Sequence, residues 1–172
     1  MFGYGSLIWR PDFPYLEHQI ASINGFARRF WQNSHDHRGT PDAPGRVVTL
    51  VYEPDSVCLG MAYRLADEIV QSTFEQLDYR EKNGYERHEV TLQFKDQSQK
   101  PGLVYIAAED NFAYAGESRP DDIARIIAKS HGPSGANREY LFKLAIALRE
   151  LNIDDPHVFD LEQRVKNLPI RN

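Results

Sequence analysis

Val47-Val-Thr-Leu-Val-Tyr-Glu-Pro-Asp-Ser-Val-Cys-Leu-Gly-Met-Ala-Tyr63 is the stretch whose reading sets the fold class. Its two ends are β-branched, aromatic and aliphatic, and Glu53-Pro-Asp-Ser56 between them has turn chemistry, so the stretch reads as a β-hairpin. Upstream, Ile20 to Gln32 reads as another strand, bent early by Asn24-Gly25. Downstream, Tyr85 to Phe94 alternates around Val90, Leu92 and Phe94, and Leu103 to Ala107 is a short buried strand, with Asp96 to Gly102 looping between them. Helical spacing appears first at Ala66 to Tyr79, where Ile69, Val70, Phe74 and Leu77 share a face. Ser118-Arg-Pro-Asp121 reads as a capping box before a helix through Ile123, Ile126 and Ile127. Ser134 reads as the cap of the longest helix, striped by Leu141, Leu144, Leu148 and Leu151, and a last helix covers about Val158 to Asn167. Strands first and helices late, without βαβ alternation, predict an α+β domain with a largely antiparallel sheet, curved or closed into a barrel.

Residues 1–172 are enough for a single domain, and 41% apolar content supports a proper core. Twenty Lys and Arg against 25 Asp and Glu leave a net charge of −5, which argues against an electrostatic hold on nucleic acid or anionic lipid. Cys58 is the sole cysteine, so neither an intramolecular disulfide nor a site needing two thiolates is possible. It lies in an apolar strand and reads as packing material; a reducing, cytoplasmic setting is expected. Apolar runs such as Leu144-Ala-Ile-Ala-Leu148 fall far short of the ~20 residues of a membrane span. Met1 runs straight into Phe2-Gly-Tyr-Gly-Ser6 with no basic leader, so folding is expected to start at the first residues.

Four segments carry candidate chemistry. Phe2-Gly-Tyr-Gly-Ser-Leu-Ile-Trp9 is either a loop whose main-chain amides hold an anion or an ordinary glycine-rich turn; it lacks the third glycine of a dinucleotide fingerprint. In Arg28-Arg-Phe-Trp-Gln-Asn-Ser-His-Asp-His-Arg-Gly39, His35 and His37 would share a strand face, but no third metal ligand is evident. The alternative there is a polar loop ordered by its own hydrogen bonds, with Asp36 and Arg38 as pocket-lining groups. Glu81, in Asp78-Tyr-Arg-Glu-Lys-Asn-Gly-Tyr85, stands at a helix C-terminus, where the dipole disfavours a carboxylate. It is a candidate base if partly buried and a plain solvated acid if not. Gly132-Pro-Ser-Gly-Ala-Asn-Arg-Glu-Tyr-Leu141 feeds a helix, and its Tyr140 is either a core aromatic or a ligand contact.

These segments occur in an order that resembles the ChaC family of glutathione-specific γ-glutamylcyclotransferases. The likeness runs through Phe2–Trp9, Arg29-Phe-Trp-Gln32 with Asp36-His-Arg-Gly-Thr-Pro41, Pro44-Gly-Arg-Val-Val-Thr-Leu50, Tyr79-Arg-Glu-Lys82 and Gly132-Pro-Ser-Gly135 with Asn137 and Glu139-Tyr-Leu141. It implies the γ-glutamylcyclotransferase-like fold, a small mixed or antiparallel β-barrel flanked by helices. The implied reaction splits glutathione into 5-oxoproline and cysteinylglycine, with no metal or organic cofactor and a small molecule as partner. The family's Tyr-Gly-Ser-Leu loop, which binds the γ-glutamyl group, falls on Tyr4, Gly5, Ser6 and Leu7. Its catalytic glutamate falls on Glu81, and the tyrosine of its Glu-Tyr-Leu motif, a substrate contact, on Tyr140. Two other readings differ in class: cyclisation of other γ-glutamyl amines or amino acids, and a non-enzymatic regulator of cation transport. A side chain at Gly5 would crowd the bound γ-glutamyl group, so Gly5→Val is expected to weaken glutathione binding in a calorimetric titration, and an unchanged affinity would remove the loop from the site.

Overall fold

The computed structural model describes residues 1–80 and 84–169. Its strands are β1 (Phe2–Gly3), β2 (Glu17–Ser34), β3 (Gly45–Arg64), β4 (Tyr85–Phe94), β5 (Gln99–Ala107), β6 (His131–Gly132) and β7 (Gly135–Ala136). The helices are α1 (Asp67–Arg80), α2 (Pro120–Lys129), α3 (Asn137–Glu150) and α4 (Pro156–Asn167), with one 3-10 turn at Ser6–Ile8. The architecture is α+β. No helix among the described residues is long and apolar enough to cross a membrane.

The chain sorts into two compact units, each made of two stretches. The first, Met1–Arg28 with Leu50–Phe112, contains α1 and the pairings of a sheet ordered β1-β3-β2-β4-β5. Its registers are antiparallel, with Phe2 opposite Ala62, Ala21 opposite Phe94 and Arg87 opposite Tyr105. That order leaves β1 and β5 as edges, so among the described residues the barrel expected from the sequence is not closed by a ladder. The edges are joined by a side chain instead: Tyr4, just after β1, donates its hydroxyl to the Tyr105 carbonyl of β5 at 2.7 Å.

The second unit, Arg29–Thr49 with Ala113–Asn172, holds the β6–β7 hairpin and three mutually packed helices. Ile123 and Ile127 of α2, Leu141, Leu144 and Leu148 of α3, and Val158 and Leu161 of α4 are at most 1% exposed. At roughly 1.5–3 kcal/mol per fully buried large apolar side chain, this stripe is the main cohesive term of the unit.

Several local expectations are corrected. Residues 45–64 form one continuous strand, so Glu53-Pro-Asp-Ser56 is not a turn. Pro54 stands inside that strand. The predicted loop before Leu103 shrinks to a tight turn. Gln97 takes φ +66°, and Asp96 Oδ1 accepts from both the Ser98 amide (3.0 Å) and its hydroxyl (2.6 Å), so β5 begins at Gln99.

Neither predicted serine caps a helix. Arg119 is the N-cap of α2, with Pro120 supplying the fixed φ of the first turn, and Ala136 is the N-cap of α3. The N-cap of α4, Asp155, does use its side chain, accepting from the Val158 amide at 3.1 Å. Asp155→Ala is therefore expected to cost about 1 kcal/mol in urea unfolding, whereas Ser118→Ala should stay within about 0.5 kcal/mol of the parent.

Candidate functional site

In the first unit the chain leaves β1 and folds back at once. A Cβ on Gly3 would stand 2.7 Å from Leu7 Cβ. The turn closes through Ile8 N–H to the Gly5 carbonyl (3.0 Å) and Arg10 N–H to the Ser6 carbonyl (2.8 Å). Side chains from the sheet then fix it. Arg28, only 3% exposed, donates Nε to the Tyr4 carbonyl and a terminal nitrogen to the Leu59 carbonyl, both at 2.6 Å. Tyr63 donates its hydroxyl to the Leu7 carbonyl at 2.6 Å. With the Tyr4 hydroxyl on Tyr105, the segment Tyr4–Leu7 is held at both ends. The first amides of a helical turn lie outside its own bonding, so such a segment can present N–H groups to a small anion.

Glu81 lies outside the described residues. The chain on both sides of it is anchored within the same unit. In α1, Asp78 Oδ1 accepts the Tyr105 hydroxyl at 2.6 Å and stands 3.4 Å from Arg87 Nε. Further along, Gly84 takes φ +99°, and a Cβ there would overlap the Asn111 side chain, so the glycine expected to turn the chain into β4 is required on both counts.

In the second unit Arg38 and Tyr140 come together. Arg38 is buried, donates to the Ala136 carbonyl at 3.2 Å and lies 3.6 Å from Glu139 Oε2. Its guanidinium stands 5.9 Å from the Tyr140 ring centroid. On another side Phe30 meets that ring edge-on, with centroids 6.0 Å apart. Asp36 is exposed and lies 3.6 Å from His37 Nε2, while His37 Nδ1 contacts Ser134 Oγ at 3.1 Å. His37 thus ties its loop to the β6–β7 hairpin. Among the described residues, no group of three or more His, Cys, Asp or Glu side chains could hold a metal ion.

The glycines of this unit mark close approach of main chains. Cβ atoms on Gly39, Gly45 or Gly132 would overlap backbone atoms of Gly45, Arg38 and His37 respectively. Asn137, fully buried, clamps Arg46 by accepting its N–H at 2.7 Å and donating to its carbonyl at 2.8 Å. Burial lowers the Arg46 pKa, and its Nε is buried without a hydrogen-bond partner among the described residues.

Sequence reasoning missed the holding residues Arg28, Tyr63, Tyr105 and Asp78. Arg28 carried a usable signal. Gly25 takes φ +81°, and from Arg28 onward the buried positions of β2 are even-numbered (Arg28, Phe30, Gln32, Ser34) where Ala21, Ile23 and Ala27 were odd. An arginine on that buried face has to be paired. Tyr63, Tyr105 and Asp78 carry no local sign, because their partners lie far along the chain.

The sequence pattern of the family described as ChaC-like protein matches residues 1–168. The γ-glutamylcyclotransferase 2-3 of Arabidopsis thaliana is 44% identical, over 98% of this chain and 88% of that protein. The glutathione-specific γ-glutamylcyclotransferase 1 of Danio rerio is 40% identical, over 94% of this chain and 86% of that protein. Among solved structures, the selenomethionine-labelled yeast γ-glutamyl cyclotransferase specific to glutathione matches with a TM-score of 0.91 at 36% identity, over 96% of this chain and 94% of that one.

Burial, reinforced by neighbouring Tyr15, pushes the Tyr63 hydroxyl up to about 12. A raised value favours the protonated native state, so this contribution is fully present below the ordinary tyrosine value near 10 and lost as pH rises through 12. Unfolding free energy is expected to fall across pH 10–12, and Tyr63→Phe should flatten that part of the profile.

Proposed function

The chain belongs to the ChaC-like protein family, and we propose that it is a glutathione-specific γ-glutamylcyclotransferase releasing 5-oxoproline and cysteinylglycine. The substrate brings its own nucleophile. Its α-amine attacks the γ-carbonyl, the five-membered ring closes, and the bond from the γ-carbon to the cysteine nitrogen breaks. No water is consumed and nothing is oxidised or reduced, so the balance calls for no cofactor. Holding the chain folded for this attack is worth up to about 7–11 kcal/mol.

The α-ammonium must first lose a proton. We assign that step to Glu81, which then returns the proton to the departing nitrogen, a base-then-acid role typically worth ~10²–10⁴ in rate. The family's binding loop falls on Tyr4, Gly5, Ser6 and Leu7, whose amides would receive the γ-glutamyl group. Tyr140 is proposed as a substrate contact, with Asp36 and Arg38 as pocket-lining polar groups. The observation that carries the reading is the fixed Tyr4–Leu7 turn. A turn whose Tyr4 and Leu7 carbonyls are already held needs little reorganisation when charge develops. We take residues 1–172 as one domain and the cytoplasm as its setting, consistent with the lone thiol and the acidic balance.

The test is a 5-oxoproline assay over glutathione, γ-glutamyl amino acids and γ-glutamyl amines. Glutathione is expected to be turned over and the others poorly; equal turnover of γ-glutamyl amines would shift the specificity, and none at all would return the protein to a binding role. Glu81→Gln should keep the melting temperature and lose at least ~10²-fold in kcat, and a folded variant with full turnover would remove Glu81 from the mechanism.

A further inference from the structure

Tyr105 uses its two polar groups in two directions. Its main-chain carbonyl accepts the hydroxyl of Tyr4, at the start of the Tyr4–Leu7 turn, at 2.7 Å. Its own hydroxyl donates to Asp78 Oδ1 in the last turn of α1 at 2.6 Å. The ring is 5% exposed, so that hydroxyl must have a partner. Arg87 stands directly opposite Tyr105 in the β4–β5 ladder and reaches the same Asp78 oxygen from 3.4 Å. Its guanidinium also lies 5.3 Å from the centroid of the Phe74 ring, one turn earlier on α1. A carboxylate in the last turn of a helix opposes the helix dipole, and nothing in the apolar packing of α1 requires one. Asp78 is nevertheless there, three residues before Glu81, with a buried hydroxyl aimed at it.

We infer that Asp78 and Tyr105 are a positioning pair, which registers the end of α1 that runs into Glu81 against the turn Tyr4–Leu7. This rests on the cyclotransferase reading and on Glu81 as its base. The pair touches no substrate; it acts by fixing where the chain enters residue 81. The two contacts of Tyr105 differ in kind, which gives the inference a signature. The contact to Tyr4 uses the main chain and survives Tyr105→Phe, so the binding turn keeps its support. The contact to Asp78 uses the hydroxyl and is lost. Loss of registration should therefore appear in kcat and not in KM.

The experiment measures kcat and KM for glutathione in the parent, Glu81→Gln, Tyr105→Phe, Asp78→Ala, Asp78→Asn and the Tyr105→Phe/Asp78→Ala double variant, with thermal melts alongside. Tyr105→Phe and Asp78→Ala are each expected to lose roughly ten- to a hundredfold in kcat, the range a misplacement of about an ångström produces, with KM within about twofold. The double variant should fall no lower than the worse single, since both remove one bond. Asp78→Asn, which keeps the accepting oxygen, should lie nearer the parent than Asp78→Ala does.

Parental kcat in Tyr105→Phe, losses that multiply in the double variant, or losses confined to KM would overturn the pairing while leaving the function intact. An inactive parent, or full turnover in Glu81→Gln, would instead overturn the cyclotransferase reading and this inference with it. Should Tyr105→Phe fail to fold, the solvent-facing Asp78 variants decide the matter.

Discussion

A buried guanidinium holding main-chain carbonyls is the constraint on which the first unit depends. Arg28 has almost no access to water, and burying a cation costs several kcal/mol unless its donors are engaged. They reach the Tyr4 and Leu59 carbonyls, so one side chain of β2 ties the exit of β1 to β3. Tyr63 and Tyr105 complete the grip from β3 and β5. Three of these four contacts are made to or by groups of a four-residue turn. The sheet therefore specifies the position of that turn even though β1 contributes only two paired residues.

The second unit meets the same requirement differently. Its loops are brought so close that glycine is needed at positions 39, 45 and 132, and the main-chain groups left over are matched by the Asn137 amide. A carboxamide offers one acceptor and two donors in a plane, which suits it to clamp the N–H and C=O of one residue of a neighbouring strand. Arg38, Glu139, Gly135 and Tyr140 sit on this frame, so the Gly-Pro-Ser-Gly and Glu-Tyr-Leu segments share a structural reason for their residue types before any contact with substrate is invoked.

Such a frame suits a reaction in which the substrate attacks itself. With the nucleophile, electrophile and leaving group all in one molecule, the protein's tasks are conformational and protonic. The roles we propose for the Tyr4–Leu7 turn and for Glu81 answer to these two tasks.

Short-range information was enough for the class of fold and for the order of most elements. Alternation in β4, helical spacing in α1 and the leucine stripe of α3 are properties of neighbouring residues. It also marked Tyr4–Leu7, Asp36, Arg38, Glu81 and Tyr140 as candidates, because their motifs are contiguous, while the roles proposed for them come from the family resemblance. It misjudged Glu53–Ser56 and the serine caps, where local turn and cap preferences of at most about 1 kcal/mol yielded to strand pairing and tertiary packing. Of what holds the Tyr4–Leu7 turn, only Arg28 left a sign in the sequence. Arg28, Tyr63, Tyr105 and Asp78 find partners tens of residues away, and a hydrogen bond across that distance follows from how the sheet curls, which no window of neighbouring residues encodes.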